Sequence, residues 1–397
     1  MAVQYGGRPA RDASWRLSWN DRNVRAIVYQ ASALVAVAAG VWYFVDNTLD
    51  NLARLGLASG FGFMDREAAF PIGESLIDYT PADTYARALL VGIVNTLYVS
   101  AIGVVIATVL GTVIGIARLS QNWLVAKLAS IYVEVVRNTP LLLQLFFWYM
   151  IFLELLPVAR QALQPIPDVF LSNRGLRFPI PAAAEGWTLM LAGAVVGIVA
   201  AIVTANWARR RQEATGQQFP TLSVGFALVV GVGALGWLVG GAPTALDRPA
   251  MRGFNFVGGA EVSPEFVSLL LGLVIYTAAF VAEIVRGGIL AISHGQTEAA
   301  SALGLRRGMV LRLVILPQAL RVIIPPMTSQ YLNLTKNSSL AVAIGFPDLV
   351  HLANTAINQT GQAIEGIAII MAVYLTISLS ISLFMNWYNR RVALVER

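Results

Sequence analysis

One apolar stretch of the chain carries side chains that lipid does not tolerate: Asn333, Lys336, Asn337, Ser338 and Ser339. A lysine in hydrocarbon costs about 2.5–3.5 kcal/mol on insertion scales, so Lys336 must face a cavity, a wet pathway or a polar partner. Such a group can recognise a zwitterion at membrane depth, with the neighbouring amides and hydroxyls adding hydrogen bonds. A polar contact with another subunit is the structural alternative. Pro325-Pro326 is expected to break the helix nearby and free backbone groups for the same use. Gln144 and Tyr149, in a separate apolar run, are candidates to face that pathway, with packing as the other reading. Glu283 and Arg286 stand three apart and can pair on one helix face. With Arg137 they form a gate or interface network, or a structural salt bridge.

Bond-breaking chemistry has no matching constellation. The chain has no Cys and only two His, His294 and His351, far apart in sequence. Thiol catalysis and cysteine-ligated metal are therefore excluded, and a His-rich metal site is not expected. Neither a carboxylate pair nor a Ser-His-Asp set stands at recognisable spacing. A phosphate-binding loop requires Gly-Lys followed by Ser or Thr. Lys127 follows Ala126 and Lys336 follows Thr335, so neither lysine fills that role. If ATP drives this protein, another chain hydrolyses it.

The elements that must position these residues follow from composition. Of 397 residues, 57% are hydrophobic and 13% charged, about half the charge of a soluble domain. A chain of this kind cannot coat a water-facing surface. Apolar runs near the ~20 residues needed to cross a bilayer as helix occur at 26–45, 89–117, 140–156, 187–205, 221–241, 266–285, 319–345 and 363–386. None alternates as a strand, so the expected fold is an all-α polytopic membrane protein with about eight transmembrane helices. With the N-terminus inside, 19 Lys and Arg fall in inner segments and 8 in outer ones. That asymmetry sets both termini in the cytoplasm and explains the net charge of +6 without nucleic acid. The first apolar core exceeds the 7–15 residues of a signal peptide and reads as a retained anchor. Trp15, Arg16, Trp19 and Arg22 before it suggest an interfacial helix. Arg209-Arg210-Arg211 reads as a headgroup anchor. The outer segments 46–88 and 157–186 are ordered connections able to dock a partner, or passive linkers.

The most specific pattern lies in the inner loop after the sixth span. Glu298-Ala299-Ala300 is followed by Gly304 and then by Val314-Ile315-Leu316-Pro317. Residues 292–303 read as a short helix along the membrane, ended by Gly304 where a left-handed residue is needed. Small alanines let another protein approach closely. His294 and Gly295 open this segment, and Pro317 leads back into the membrane.

This loop resembles the EAA loop of binding-protein-dependent ABC importer permeases, with Val314 where Ile is more usual. Asn95-Thr96-Leu97, the run Val136-Arg137-Asn138-Thr139-Pro140-Leu141-Leu142-Leu143-Gln144, and Ala282-Glu283-Ile284-Val285-Arg286-Gly287-Gly288 narrow the resemblance to the polar amino-acid uptake family. Asn138 stands where that family usually has Gly, and Asn337 where related permeases often carry an acid. The resemblance implies a five-span core of the ABC type I importer kind, at 89–156 and 265–397. Residues 157–264 are then an insertion with two extra spans, and 1–88 an N-terminal extension with one. This enlarged layout is similar to the Q-type membrane subunits of general L-amino-acid permeases. Such a subunit implies L-amino acids as substrate, a second M-type permease subunit and a periplasmic amino-acid-binding protein. It also implies two ATPase subunits holding ATP and Mg2+, a bacterial inner-membrane location, and no cofactor in this chain. It further implies that His294, Gly295, Glu298, Ala299, Ala300, Gly304 and Pro317 couple to the ATPase. An ion-coupled secondary transporter relaying protons through Lys336 and Glu283 is the alternative.

Overall fold

The computed structural model describes residues 22–54, 60–182, 184–253 and 255–392. The interfacial helix expected around Trp15, Arg16 and Trp19 lies outside the described residues. Arg22, grouped with them, opens α1 (Arg22–Arg54), which is exposed along its apolar length. The bundle that follows is built from α2 (Tyr85–Ala117), α3 (Trp123–Asn138) and α4 (Leu141–Met150). Next comes the hairpin of α5 (Glu185–Thr215) and α6 (Thr221–Val239). The chain returns through α7 (Pro264–Leu290), the short α8 (His294–Ala302) and α9 (Arg307–Met309). It ends with α10 (Leu316–Asn337), α11 (Leu349–Thr360) and α12 (Ala363–Val392).

Among the described residues, seven helices are long and apolar enough to cross a membrane, or eight if α3 and α4 count as one span. That pair corrects the simple span expected at 140–156, because its limbs meet at 104°. Proline explains the break: Pro140 lacks an N–H and forces Thr139 into extended backbone, with φ −103° and ψ 126°. The carbonyls freed there are not left bare. The Gln144 amide donates to Val136 O at 3.1 Å and to Thr139 O at 3.0 Å. The Thr-Pro-Leu-Leu-Leu-Gln run thus encodes a bend together with the side chain that caps it.

A second correction concerns Pro325-Pro326. The helix α10 continues through both without a break, and both prolines stand exposed on it. The helical pattern changes later, at Ser338, where α10 tightens into a 3-10 segment (Ser338–Ile344) ended by the left-handed Gly345. Before α10 the chain widens instead, through a π-helical run (Val310–Ile315). Pro317 offers no N–H to Leu313 O and would clash with it, so the wider turn relieves the helix there.

The two long connections flanking the hairpin are not plain loops. They form short strands: β1 (Leu163–Ile166), β2 (Val169–Ser172), β3 (Gly175–Phe178) and β4 (Ile180–Pro181) before it, and β5 (Leu246–Asp247), β6 (Ala250–Arg252), β7 (Asn255–Val257) and β8 (Ala260–Val262) after it. One sheet has the order β1-β2-β3-β8, and the pairs β4-β5 and β6-β7 stand beside it. Phe178 is registered with Ala260 and Ile180 with Asp247, so both connections run antiparallel, side by side. Glycines seat the helices beneath. A Cβ at Gly240 would stand 2.1 Å from Gly186 Cα, and one at Gly236 2.3 Å from Leu189 O.

The main core joins α2, α4, α7 and α10 through Val99, Leu145, Leu269, Leu273 and Leu334, with Phe346 closing it. Residues 63–85 are docked against α11 by Phe63, Phe70 and Tyr85 on Leu352 and Ala356. Asn95 ties this end together by donating to Glu74 O and to Pro347 O, each at 2.9 Å. Thr96 Oγ1 accepts from Leu349 N at 3.1 Å. The Asn-Thr pair therefore belongs to the joint that fixes α11. Gly103 of α2 faces Leu270 of α7, Gly111 faces Ala278 and Val281, and Gly115 faces Ala282 and Val285, so α2 and α7 run parallel. Helix α10 packs antiparallel on them, with Ile323 at Gly288 and Leu334 at Gly103.

Candidate functional site

At the α8 end, helix α8 takes its limits from the chain's own punctuation. Leu303 N and Gly304 N donate back to Ala299 O and Ser301 O, and Leu305 N to Ala300 O. Gly304 sits at φ +78°, a left-handed conformation that a side chain strains. Ala300 is buried with Val310 and Ile315 and fastens α8 to the start of the return path. Gln318 continues the link by donating to Val314 O at 2.9 Å and to Gln296 Oε1 at 3.4 Å. What α8 turns outward is uncovered: Gly295, Glu298 and Ala299 are exposed. His294 Nδ1 lies 3.0 Å from Glu298 Oε1 with both side chains in solvent. Leu303 is 82% exposed. An apolar side chain displayed beside a left-handed glycine is costly to leave in water and is suited to a partner's pocket. The sequence reading missed Leu303, although a leucine just before the helix-ending glycine was the available signal.

Above α8 lies an ion cluster. Glu283 accepts from Arg286 Nη2 at 2.6 Å, as the three-residue spacing predicts, and also from Arg118 Nη1. Arg118 caps α2, is mostly buried, and reaches Ser130 Oγ with its Nε. The cluster therefore ties the end of α2 to the middle of α3 and to the last turns of α7. Arg137 is not part of it; its guanidinium lies over the Phe280 ring, 5.0 Å from the centroid. Arg118 escaped the sequence reading because only the fold brings residues 118 and 283 together.

The polar segment of α10 divides by face. Ser329, Asn333 and Lys336 are exposed at spacings of four and three, so they form one stripe. Thr335 and Ser338 are buried on the other side, and Ser338 Oγ donates to Thr335 O at 2.7 Å. Ser339 Oγ donates to Lys336 O at 2.7 Å, while Asn337 is half-buried. The structure thus gathers Asn333 and Lys336 and turns Ser338 away from them. Gln144 is spent on the α3–α4 bend, and Tyr149 donates to Glu265 Oε1 at 3.1 Å in the first turn of α7. A polar stripe on the uncovered face of a membrane helix must meet a second subunit or water.

At the α11 end, Asp348 caps α11 by accepting from His351 N at 2.8 Å. Its side chain is fully buried, and burial pushes its pKa up to about 7. An aspartate just ahead of an apolar run was a readable capping signal. The native carboxyl then keeps a proton that the unfolded chain releases near pH 4. Its contribution is complete below that pH and drains away as pH rises through 7. The wild-type melting temperature in detergent should accordingly fall between about pH 4 and about pH 7 and level off above it. Asp348→Asn, which keeps a capping oxygen, should flatten that fall. Equal slopes in the two proteins would acquit Asp348.

A family described as binding-protein-dependent transport system inner membrane component matches residues 214–394. The general L-amino acid transport system permease protein AapQ of Rhizobium johnstonii is 53% identical over 97% of this chain and 96% of its own length. The glutamate/glutamine/aspartate/asparagine transport system permease protein BztB of Rhodobacter capsulatus is 42% identical over 97% of this chain and 98% of its own.

Proposed function

Because the chain belongs to the binding-protein-dependent inner-membrane transport components, among the amino-acid ABC permeases, we propose that it is the Q-type membrane subunit of an importer for L-amino acids. Membership leaves the ion-coupled alternative without support. In this reading a periplasmic amino-acid-binding protein delivers substrate and a second, M-type permease subunit covers the open stripe of α10. Two ATPase subunits bind ATP and Mg2+ beneath α8. Both chain termini face the cytoplasm of a bacterium, and the bundle sits in its inner membrane.

One observation carries the coupling part: α8, fixed to the bundle by Ala300 and Gln318, presents Glu298, Ala299 and Leu303 uncovered. Closure of the ATPases on that surface would draw α8 sideways. Gln318 and the π-helical run before Pro317 would pass the displacement to α10, moving Asn333 and Lys336 relative to the facing subunit. The Glu283 cluster, holding α2 and α7 together, would keep the other helices as the fixed frame. Lys336 then offers its ammonium to a substrate carboxylate, and Asn333 adds an amide.

The test is purification of the assembled complex and measurement of ATP hydrolysis with and without orthovanadate. Hydrolysis that vanadate blocks and amino-acid-loaded binding protein stimulates is the expected result. A chain that transports amino acids with no ATPase bound would overturn the proposal. Within such a complex, Lys336→Met should lower uptake at least tenfold, about 1.4 kcal/mol of lost recognition, while basal hydrolysis persists. Unchanged uptake would remove Lys336 from the pathway.

A further inference from the structure

A cavity of about 530 Å³ lies at the α11 end, away from the stripe on α10. Three parts of the chain build it. The segment docked on α11 supplies Glu74, the permease core supplies Glu265 and His351, and the β-layer beside the hairpin supplies Asn173, Arg174 and Glu261. Its size falls within the ~300–1,000 Å³ of small-molecule sites.

The charges inside it are unevenly answered. Glu261 is paired with Arg177. Glu74 accepts from the Ser263 hydroxyl and Glu265 from the Tyr149 hydroxyl. Among the described residues neither Glu74 nor Glu265 makes an ion pair. Burial, with Glu265 and Glu261 nearby, raises the Glu74 pKa, so these carboxylates are close enough to repel one another. His351 does not neutralise them, since burial lowers its pKa and leaves it uncharged at neutral pH. Arg174, on the turn between β2 and β3, lines the same space and makes no ion pair among the described residues. The cavity therefore sets unpaired negative charge on the core side and an unpaired guanidinium on the β-layer side. A hydrogen-bonding ammonium and a carboxylate on one small molecule would satisfy both.

We infer that this cavity is an entry site for a zwitterionic α-amino acid, its ammonium held by Glu74 and Glu265 and its carboxylate by Arg174. The inference rests on the amino-acid reading above and adds a site distinct from Lys336. Arg174, Asn173 and Glu261 all come from the insertion, so the insertion forms part of substrate recognition.

The cysteine-free sequence allows a direct test. Asn173→Cys is introduced into the full complex, and its labelling by a membrane-impermeant maleimide is timed with L-glutamine as probe. L-Glutamine should slow labelling at least fivefold, whereas propionate or ethylamine, each carrying half the charge pattern, should protect far less. Adding Arg174→Gln should abolish the protection. Thr355→Cys, which also borders the cavity, repeats the measurement should the first variant fail to assemble. Labelling indifferent to L-glutamine at both positions, or protection that survives Arg174→Gln, would overturn the site. ATP-dependent uptake is read in the same preparation. If uptake holds and protection is absent, the cavity alone is refuted; if uptake is absent, the importer reading fails on its own.

Discussion

Leu303→Asp should abolish uptake by the assembled importer while the chain still inserts and folds. Leu303 is 82% exposed, so its replacement removes nothing from the protein's own core. What changes is the surface that α8 offers. Burying a leucine side chain in a partner's pocket is favourable by about 1.5–3 kcal/mol. Placing an unpaired carboxylate there reverses the sign. Docking should therefore weaken by more than about 30-fold, the equivalent of ~2 kcal/mol. The measurement is paired: copurification of ATPase with the variant, and hydrolysis stimulated by loaded binding protein. Gly304→Val should give a related result by another route, because φ +78° is a genuine outlier for a β-branched residue. In that variant α8 re-aims its exposed face rather than losing it. Full coupling in Leu303→Asp would show that α8 does not seat in a partner.

Glu283→Ala should be the most damaging single change to the bundle itself. It leaves Arg118 and Arg286 facing each other with no counter-charge, and Arg118 is only 12% exposed. Removing one partner of a fully buried pair costs about 3–5 kcal/mol. Glu283 is 31% exposed, which brings the expectation down to ~2–3 kcal/mol after solvent screening. The detergent melting temperature should fall by several degrees. Glu283→Leu combined with Arg118→Leu should recover part of the loss, since the stranded charge is then gone and Arg286 can reach solvent. A double variant no better than the single would mean that the cluster is not what joins α2 to α7.

Much of this architecture was legible in the sequence because lipid makes few compromises. Apolar runs of sufficient length marked the span-forming helices, and the glycine after Ala-Ala marked the end of α8. The three-residue interval between Glu283 and Arg286 announced their pairing. Local rules failed where a second piece of chain decided the outcome. Arg118 meets Glu283 only because α2 and α7 run parallel. Gln144 was a candidate for the pathway or for packing because nothing in its own helix reveals that Pro140 leaves the Val136 and Thr139 carbonyls short of helical partners. Pro325-Pro326 looked like a break because an interior proline costs a helix a hydrogen bond, yet α10 continues through both. The β-layer was hidden by its brevity: strands of two to four residues carry too little alternation to stand out beside a hairpin of apolar helices. The α11-end cavity was invisible for a plainer reason, since its lining is gathered from segments scattered between Phe70 and Thr355.

The antiparallel register between Phe178 and Ala260 has an evolutionary reading. Residues facing each other across a two-stranded pair stand about 5 Å apart, so everything between them enters and leaves the fold through a single doorway. A tight turn could bridge the gap, and α5 and α6 could be lost in one deletion with the core's backbone undisturbed. The same doorway would admit a different module without threading it through the bundle. Asn173, Arg174 and Glu261 lie outside that deletion, on the strands that form the doorframe. A permease of this build can therefore change its membrane footprint and keep its α11-end cavity.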